Sequence, residues 1–482
     1  MEAPSRPDDS SPVYSSFSTS QKRFIITFAA LAGWFSSISS FIYFPAIPFL
    51  VSDLQVSVQQ VNLTVTSYLI MSGIFPSIVG SAADRFGRRP VFLLSLAIYV
   101  CANIGLGLQS SFGWLFGLRM LQSAGISGTF SIAYGVVGDL FTPAERGGYS
   151  GVISFFLNTP PSIGPIISGL LLLRWTWRSI FWLLAVSSAF VLILMLLFLP
   201  ETARGIVVNG STKPRRRYNR PFINHLIPPQ RQIEATVETD KKSLDILNPF
   251  AALRLLSRPS TAISCLTYGI NYSVYSCLQA SLSTIFVERY GVSGFVAGVI
   301  YIPFGVGCAL SAYTTGKLLD ITYRQTAAKQ GIVITKGKAN DLTVFPIERA
   351  RLRFIIFSTV SSAALVMGHG WALECTASLA VPLVLQFLTG VSIQMIFTSL
   401  NTLLVDVHQE RPSTAQAANN FVRCEMAAGC LASLDALLQS VGPGWTFVAY
   451  GTAVMLEFLL LGLLWVKGMQ WRQARVRTDG AI

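Results

Sequence analysis

The chain has 482 residues, 52% of them hydrophobic and only 12% charged, with a formal net charge of +13. Ordinary soluble domains are about 25% charged, so a large soluble core would need strands or amphipathic helices between its apolar runs, and the sequence has neither. The basic excess does not form a nucleic-acid patch, because it follows the polar loops on one side of those runs.

Windows of roughly 20 mostly apolar residues, the length that a spanning helix needs, give about twelve predicted spans. Residues 1–20 are polar and rich in Ser and Pro, and read as a disordered tail. Span 1, at 24–50, runs on into "YFPAIP" without a small-residue cleavage site, so it reads as a membrane helix and not as a signal peptide. Spans 2 and 3, at 61–82 and 91–109, bracket the charged segment "GSAADRFGRRP" at 80–90. Spans 4 to 6 follow at 112–138, 149–173 and 178–199.

A polar stretch at 201–258 holds "STKPRRRYNRPF" and "VETDKKS". Its shift in composition marks a central loop between two six-helix halves, 21–200 and 259–467. The arginine run there reads as solvated or lipid-facing. Spans 7 to 12 fall at 260–286, 295–316, 353–370, 377–404, 414–440 and 446–466, and 468–482 is a short tail. The fold class expected is an all-α membrane protein, twelve transmembrane helices in two pseudo-symmetric six-helix bundles.

With the N-terminus in the cytoplasm, Arg174, Arg178 and Arg289 lie outside and Arg119 and Arg423 lie within spans, while every other Lys and Arg is cytoplasmic. This positive-inside bias places both termini and the central loop in the cytoplasm. A plasma-membrane location is expected, with a vacuolar or other internal membrane as the alternative.

Seven cysteines are scattered singly, and His225, His369 and His408 are read in loops. This spacing indicates neither a metal site nor a disulfide framework. The sequons at Asn62, Asn209 and Asn271 fall near the bilayer, in the cytoplasm and within a span, so no glycan is expected.

A weak internal repeat supports the two halves. Gly80 and Asp84 end span 2, and Gly316 and Asp320 end span 8 with the same spacing. Arg119 in "LRMLQSAG" corresponds to Gln386 in "LQFLTG". Parallel halves of six helices, each with inner repeats, are the architecture of major facilitator transporters.

The motifs make the resemblance explicit. "GSAADRFGRRP" resembles the loop 2–3 motif of that superfamily. "RMLQSAG" resembles its helix 4 motif, with Arg119 and Gln122 matching and Ser123 in place of the usual Gly. "PPSIGPIISG" resembles the helix 5 antiporter motif, with Gly164, Pro165 and Gly169 matching and Pro160 and Ser168 where Gly is usual. "LPETAR", "FPIERARLR" and "AANNFVRC" are similar to the fungal twelve-span drug:proton antiporter family, in its multidrug and organic-acid exporter branch. The resemblance covers residues 20–470.

It implies an expected site for each motif. Gly80, Asp84, Arg85, Arg88 and Asp139 form a cytoplasmic latch. In it Gly80 allows a close helix approach, Asp84 meets the positive end of helix 11 near Ser413, and Arg88 and Arg89 offer cations to Asp84 and Asp139. Gly164, Pro165 and Gly169 give helix 5 close packing, a bend and an antiporter role. A charge within a span needs a cavity or a partner, so Arg119 either faces one, with Gln122 at i+3 on the same face, or snorkels to the outer surface; the resemblance implies the proton-coupling role for it.

Span 11 is the most polar: Asn419, Asn420, Arg423, Glu425 and Asp435. An Asn amide oxygen can bond the Arg423 guanidinium. Glu425 and Asp435 then need other partners or a proton, and Glu457 in span 12 poses the same problem. Tyr268, Asn271, Tyr272 and Tyr275 recur on one stripe of span 7, suited to a cavity for flat or polar organic molecules or to packing.

No GxxxxGK[ST] segment and no nucleophile–base constellation occurs, so neither ATP-driven transport nor an enzyme is indicated. The expectation is a secondary active exporter with no cofactor, driven by the proton gradient. Its partners are a small-molecule substrate, protons and the lipid bilayer, and it is expected to be a monomer. Drug or secondary-metabolite efflux is one substrate reading. Export of organic acids such as di- or tricarboxylates is the alternative, with nutrient import as another. A non-transporting receptor is the alternative from another class.

Overall fold

A computed structural model describes residues 14–212, 214, 216–222, 251–291, 299–332 and 345–479. Its regular elements are all helical. In the first half they are α1 (Thr19–Phe41), α2 (Ile47–Leu54), α3 (Val58–Phe86), α4 (Arg88–Leu108), α5 (Phe112–Ile126), α6 (Gly128–Leu140), α7 (Pro143–Asn158), α8 (Pro160–Leu172) and α9 (Arg178–Phe198). After the short α10 (Arg204–Val207) and α11 (Ala251–Leu255), the second half holds α12 (Pro259–Tyr290), α13 (Ile302–Lys329), α14 (Ile347–Leu352), α15 (Ile355–Glu374), α16 (Ala380–Val407) and α17 (Pro412–Asp479).

Local chemistry sets the breaks. Ser18 and Ser57 open α1 and α3 with capping boxes, closed by Gln21 and Gln60. Span 5 divides at Thr159, where Pro160 and Pro161 bring no N–H to the backbone ladder. Within α17, Gly442 takes φ 75° ahead of Pro443, which separates span 11 from span 12.

Eight segments are long and apolar enough to cross a membrane by length and composition: spans 1, 2, 3, 5, 6, 9, 10 and 12. The other four predicted spans are also helical. They fall short in apolarity where they carry inward-facing groups such as Arg119, Asn271 and Arg423, and the start of span 8 lies outside the described residues. Large apolar side chains point outward instead, Phe357 being 74% exposed and Leu459 66%. Arg119, Arg146 and Arg351 are fully buried. This inversion, apolar rim and polar interior, is what a lipid solvent selects. The protein is a multi-pass membrane protein of two six-helix bundles, which meet mainly where α3 packs on α17 and α7 packs on α13.

His369, read in a loop, lies instead inside α15 and is buried against Phe447. The apolar window at 353–370 already included His369, and the helix runs one turn further, to Glu374. Of the central loop, 223–250 lies outside the described residues, as do 1–13 of the N-tail and 480–482 of the C-tail.

Candidate functional site

The polar groups gather at three levels. At the end expected to face the cytoplasm, Asp84 closes α3 and Arg88 opens α4. The Arg88 guanidinium pairs with Asp84, donates to Asp139 of α6 through Nε at 2.9 Å, and donates to the Ser413 hydroxyl of α17 at 2.7 Å. Asp84 also accepts the Thr414 backbone N–H at 3.0 Å and its hydroxyl at 2.5 Å. That N–H is one of the unpaired donors at a helix start, where the dipole favours a carboxylate. A Cβ on Gly80 would lie 2.9 Å from the Ser413 carbonyl oxygen, so glycine permits this approach.

The second half repeats the arrangement. Asp320 of α13 accepts the backbone N–H groups of Gly147 at 2.9 Å and Gly148 at 3.1 Å near the start of α7. A Cβ on Gly316 would lie 3.0 Å from the Gly147 carbonyl oxygen. Arg351 donates to Asp406 through Nε at 2.8 Å, as Arg88 does to Asp139, and Arg146 reaches Asp406 from the first half. The two halves are therefore tied at both copies of the motif, at the same end of the molecule.

One latch expectation is corrected. Arg89 does not meet Asp84 or Asp139; its guanidinium donates to the carbonyls of Leu199, Tyr218 and Leu196. Arg85 lies over the Phe86 ring. Sequence reading also missed Glu201. Its carboxylate accepts the N–H groups of Arg88, Arg89, Thr202 and Ala203 at 2.8–3.2 Å, which caps α4 from the far end of the half. Burial pushes this carboxyl above the ordinary glutamate range, against the pull of those N–H groups. The "PET" segment after span 6 was its available signal.

Deeper in the first half, Arg119 is 1% exposed and so does not snorkel to the surface. It donates to Gln122 Oε1 at 2.6 Å and to the Ser39 carbonyl at 3.2 Å. Its guanidinium sits 4.2 Å and 4.4 Å from the ring centres of Tyr43 and Tyr68. Gln122 passes the network to Asn103. Among the described residues no carboxylate pairs with Arg119. In α8, Gly164 takes the expected close approach, a Cβ there lying 3.0 Å from the Ile42 nitrogen. Pro165 stands inside the helix. Gly169 differs, for nothing lies within 4 Å of a Cβ there, so it is not a packing glycine.

Between the halves lies a cavity with an empty volume of ≈ 490 Å³, open solvent at its mouth included. Ser36, Ser72 and Phe130 line it from the first half, and Tyr272, Tyr275 and Arg423 from the second. Arg423 donates through Nε to Asn420 Oδ1 at 2.7 Å and stands 4.1 Å over Phe130 and 4.7 Å over Tyr272. Asn420 in turn donates to the Ser72 carbonyl at 2.5 Å. Asn419 faces elsewhere, toward Asn401 at 3.1 Å. Such a guanidinium, held by π faces and one amide and paired with no described carboxylate, is an anion-receptive group in a polar, aromatic chamber.

Four expected cavity residues, Asn271, Glu425, Arg119 and Gln122, are not in its lining. Asn271 points to α17, where it donates to Glu457 Oε2 at 2.6 Å. Glu425 faces α3, where its Oε1 occupies the space a Cβ on Gly73 would take. Arg119 and Gln122 belong to the separate buried network described above. The Asp435 side chain lies outside the described residues.

A family model described as Major Facilitator Superfamily matches residues 29–433. The MFS-type transporter phiD of a fungal species is 37% identical over 473 residues, 97% of this chain and 71% of that protein. The MFS-type transporter clz19 of Cochliobolus lunatus is 35% identical, over 98% of this chain and 89% of its own length. The multidrug transporter QDR2 of Candida glabrata is 32% identical, over 98% of this chain and 84% of its own length. The crystal structure of the human organic anion transporter MFSD10 superposes with a TM-score of 0.65 at 16% identity, covering 91% of this chain and 99% of that one.

Proposed function

The chain belongs to the major facilitator superfamily, and from that premise we propose that it exports small organic molecules bearing an anionic group on a flat, apolar body. It is a secondary transporter and not an enzyme. The observation that carries the substrate reading is the Arg423 chamber: one cation without a described carboxylate, walled by Phe130, Tyr272 and Tyr275, between halves tied shut on the cytoplasmic side. Aromatic secondary metabolites with a carboxylate or phenolate fit that chemistry. A cationic drug does not, because Glu425 stands outside the lining.

Alternating access follows from the ties. Opening to the cytoplasm breaks Asp84–Thr414 and Asp320–Gly147 together, and substrate then enters the chamber. Re-forming them closes the inside and leaves the chamber to discharge outward. The proton gradient drives the cycle without a cofactor, the membrane potential supplying about 2.3 kcal/mol per charge per 100 mV. The protein works as a monomer in the plasma membrane with both termini cytoplasmic. The naming of one relative as a multidrug transporter supports small organic molecules as substrates.

Profiling compounds that build up in cells lacking the protein tests this reading. Accumulation of aromatic acids, reversed by the wild-type chain, supports it. Accumulation of cations alone refutes the substrate class.

A further inference from the structure

Glu457 lies inside an apolar stretch of α17 and is 0% exposed. Its Oε2 accepts from Asn271, and its Oε1 has no hydrogen-bond partner, nor does Asn271 Oδ1. Several ionisable groups on elements packed around α17 make their contacts elsewhere. Tyr268 and Tyr272 of α12 lie at Arg423, and His369 of α15 lies against Phe447. Glu348 of α14 pairs with Arg472, Arg351 and Arg146 pair with Asp406, Glu374 pairs with Arg289, and His408 meets Thr261. Asp84 and Asp139 are held by Arg88. A carboxylate at Glu457 would keep its charge against one neutral amide, so the site accommodates the group with a proton on it.

A route to that proton is also present. Ser260, Ser264, Thr267 and Asn271 recur at i, i+4, i+7 and i+11 along one face of α12. Ser260, Thr261 and Ser264 border a shallow hollow whose empty volume of ≈ 220 Å³ includes open solvent, lined also by His408, Glu348 and Leu464. Thr267, one turn deeper, is fully buried, and its hydroxyl has no partner. Leu461 and Leu464 form the apolar opposite wall, in line with Glu457 on α17.

We propose that Glu457 is a proton-exchange site, reached from the cytoplasm along this hydroxyl face and separate from the Arg423 chamber. The site rests on the transporter reading above, but its chemistry does not need the substrate class. The Glu457 O–H bond breaks, the electron pair stays on the carboxylate, and the proton passes by way of Thr267 and Ser264 to water at His408. Asn271 continues to donate to the carboxylate, which holds the ionised form while it lasts. Cβ atoms one turn apart on a helix face stand about 5–6 Å apart, so each step of this route requires a bridging water.

Infrared difference spectra of the full chain in proteoliposomes test this without any substrate. A pH step should reveal a buried carboxylic C=O stretch that disappears as Glu457 loses its proton and is absent from Glu457→Gln. Deuterium offered from the cytoplasmic side should shift that band, and Thr267→Val should slow the shift at least tenfold. If Glu457→Gln does not fold, the Thr267→Val comparison decides alone. A band that survives in Glu457→Gln, that never responds to pH while the protein stays folded, or that exchanges at the wild-type rate in Thr267→Val overturns the proposal. None of these results bears on Arg423, so failure here leaves the substrate reading to its own test.

Discussion

Asp84 and Thr414 stand 330 residues apart in the chain, and the carboxylate of the first accepts the backbone N–H of the second at 3.0 Å. This bond ties α3 of one half to the start of α17 in the other. A hydrogen bond to a charged group is worth about 1.5–3 kcal/mol, roughly tenfold or more in the balance between closed and open cytoplasmic faces. Asp84→Asn should therefore raise the population open to the inside. Cys424 lines the chamber, so its labelling by an impermeant thiol reagent from the cytoplasmic side, with the other cysteines replaced, should quicken at least tenfold. An unchanged rate would leave the charged segment only a topological role.

Asp320 makes the matching tie to Gly147 and Gly148. Asp320→Asn should reproduce the Asp84→Asn labelling phenotype, although the segment around Asp320 lacks the arginine-rich motif. Gly80→Ala and Gly316→Ala each drive a Cβ to within about 3 Å of a backbone oxygen, and should open the cytoplasmic face as well. A Gly316→Ala protein that stays closed would break the symmetry argument.

The twelve-span fold was legible because apolar runs and the placement of Lys and Arg are local, additive signals. The pairing of Asp84 with the start of helix 11 was legible from one charge at a helix end. What sequence could not show was direction around a helix. Asn271 shares a stripe with Tyr268 and Tyr275, yet its amide turns toward α17, a choice made by Glu457 on a helix far along the chain. Arg88 and Arg89 are adjacent and alike in chemistry, and only packing sends one to carboxylates and the other to carbonyls. Gly169 matched a motif but meets nothing, since motif spacing does not reveal which face is covered.

Arg119 is held by Gln122, the Ser39 carbonyl and two tyrosine faces. Lys supplies the charge but neither the planar fork nor the stacking surface. Arg119→Lys should keep membrane insertion and lose most transport, at least tenfold, and Arg119→Ala should lose all pH-driven transport. Measured as pH-gradient-driven flux in proteoliposomes, wild-type activity of the Lys variant would show that charge alone suffices there.

Glu201 supplies an acceptor to four backbone N–H groups, two at the α4 start and two in its own segment after α9. Glu201→Ala leaves them without it and should cost about 1–3 kcal/mol, read as a lower melting temperature in detergent. The pH sign follows from the raised carboxyl. The native state binds the proton more tightly than the unfolded chain, so this group's contribution is fully present below the ordinary glutamate pKa, ~4.3, and declines as pH rises through the raised value. Glu201→Gln should remove that slope. A slope identical to wild type would assign it to another group.

The central claim is that Arg423 receives the substrate's anionic group within the chamber. The most direct measurement is counterflow of an aromatic carboxylate and its neutral methyl ester in proteoliposomes holding wild-type, Arg423→Lys or Arg423→Ala protein. The account predicts that wild type prefers the acid, that Lys retains part of this preference, and that Ala loses at least tenfold for the acid while the ester is little changed. Equal loss for acid and ester, or an unchanged preference for the acid in the Ala variant, would contradict it.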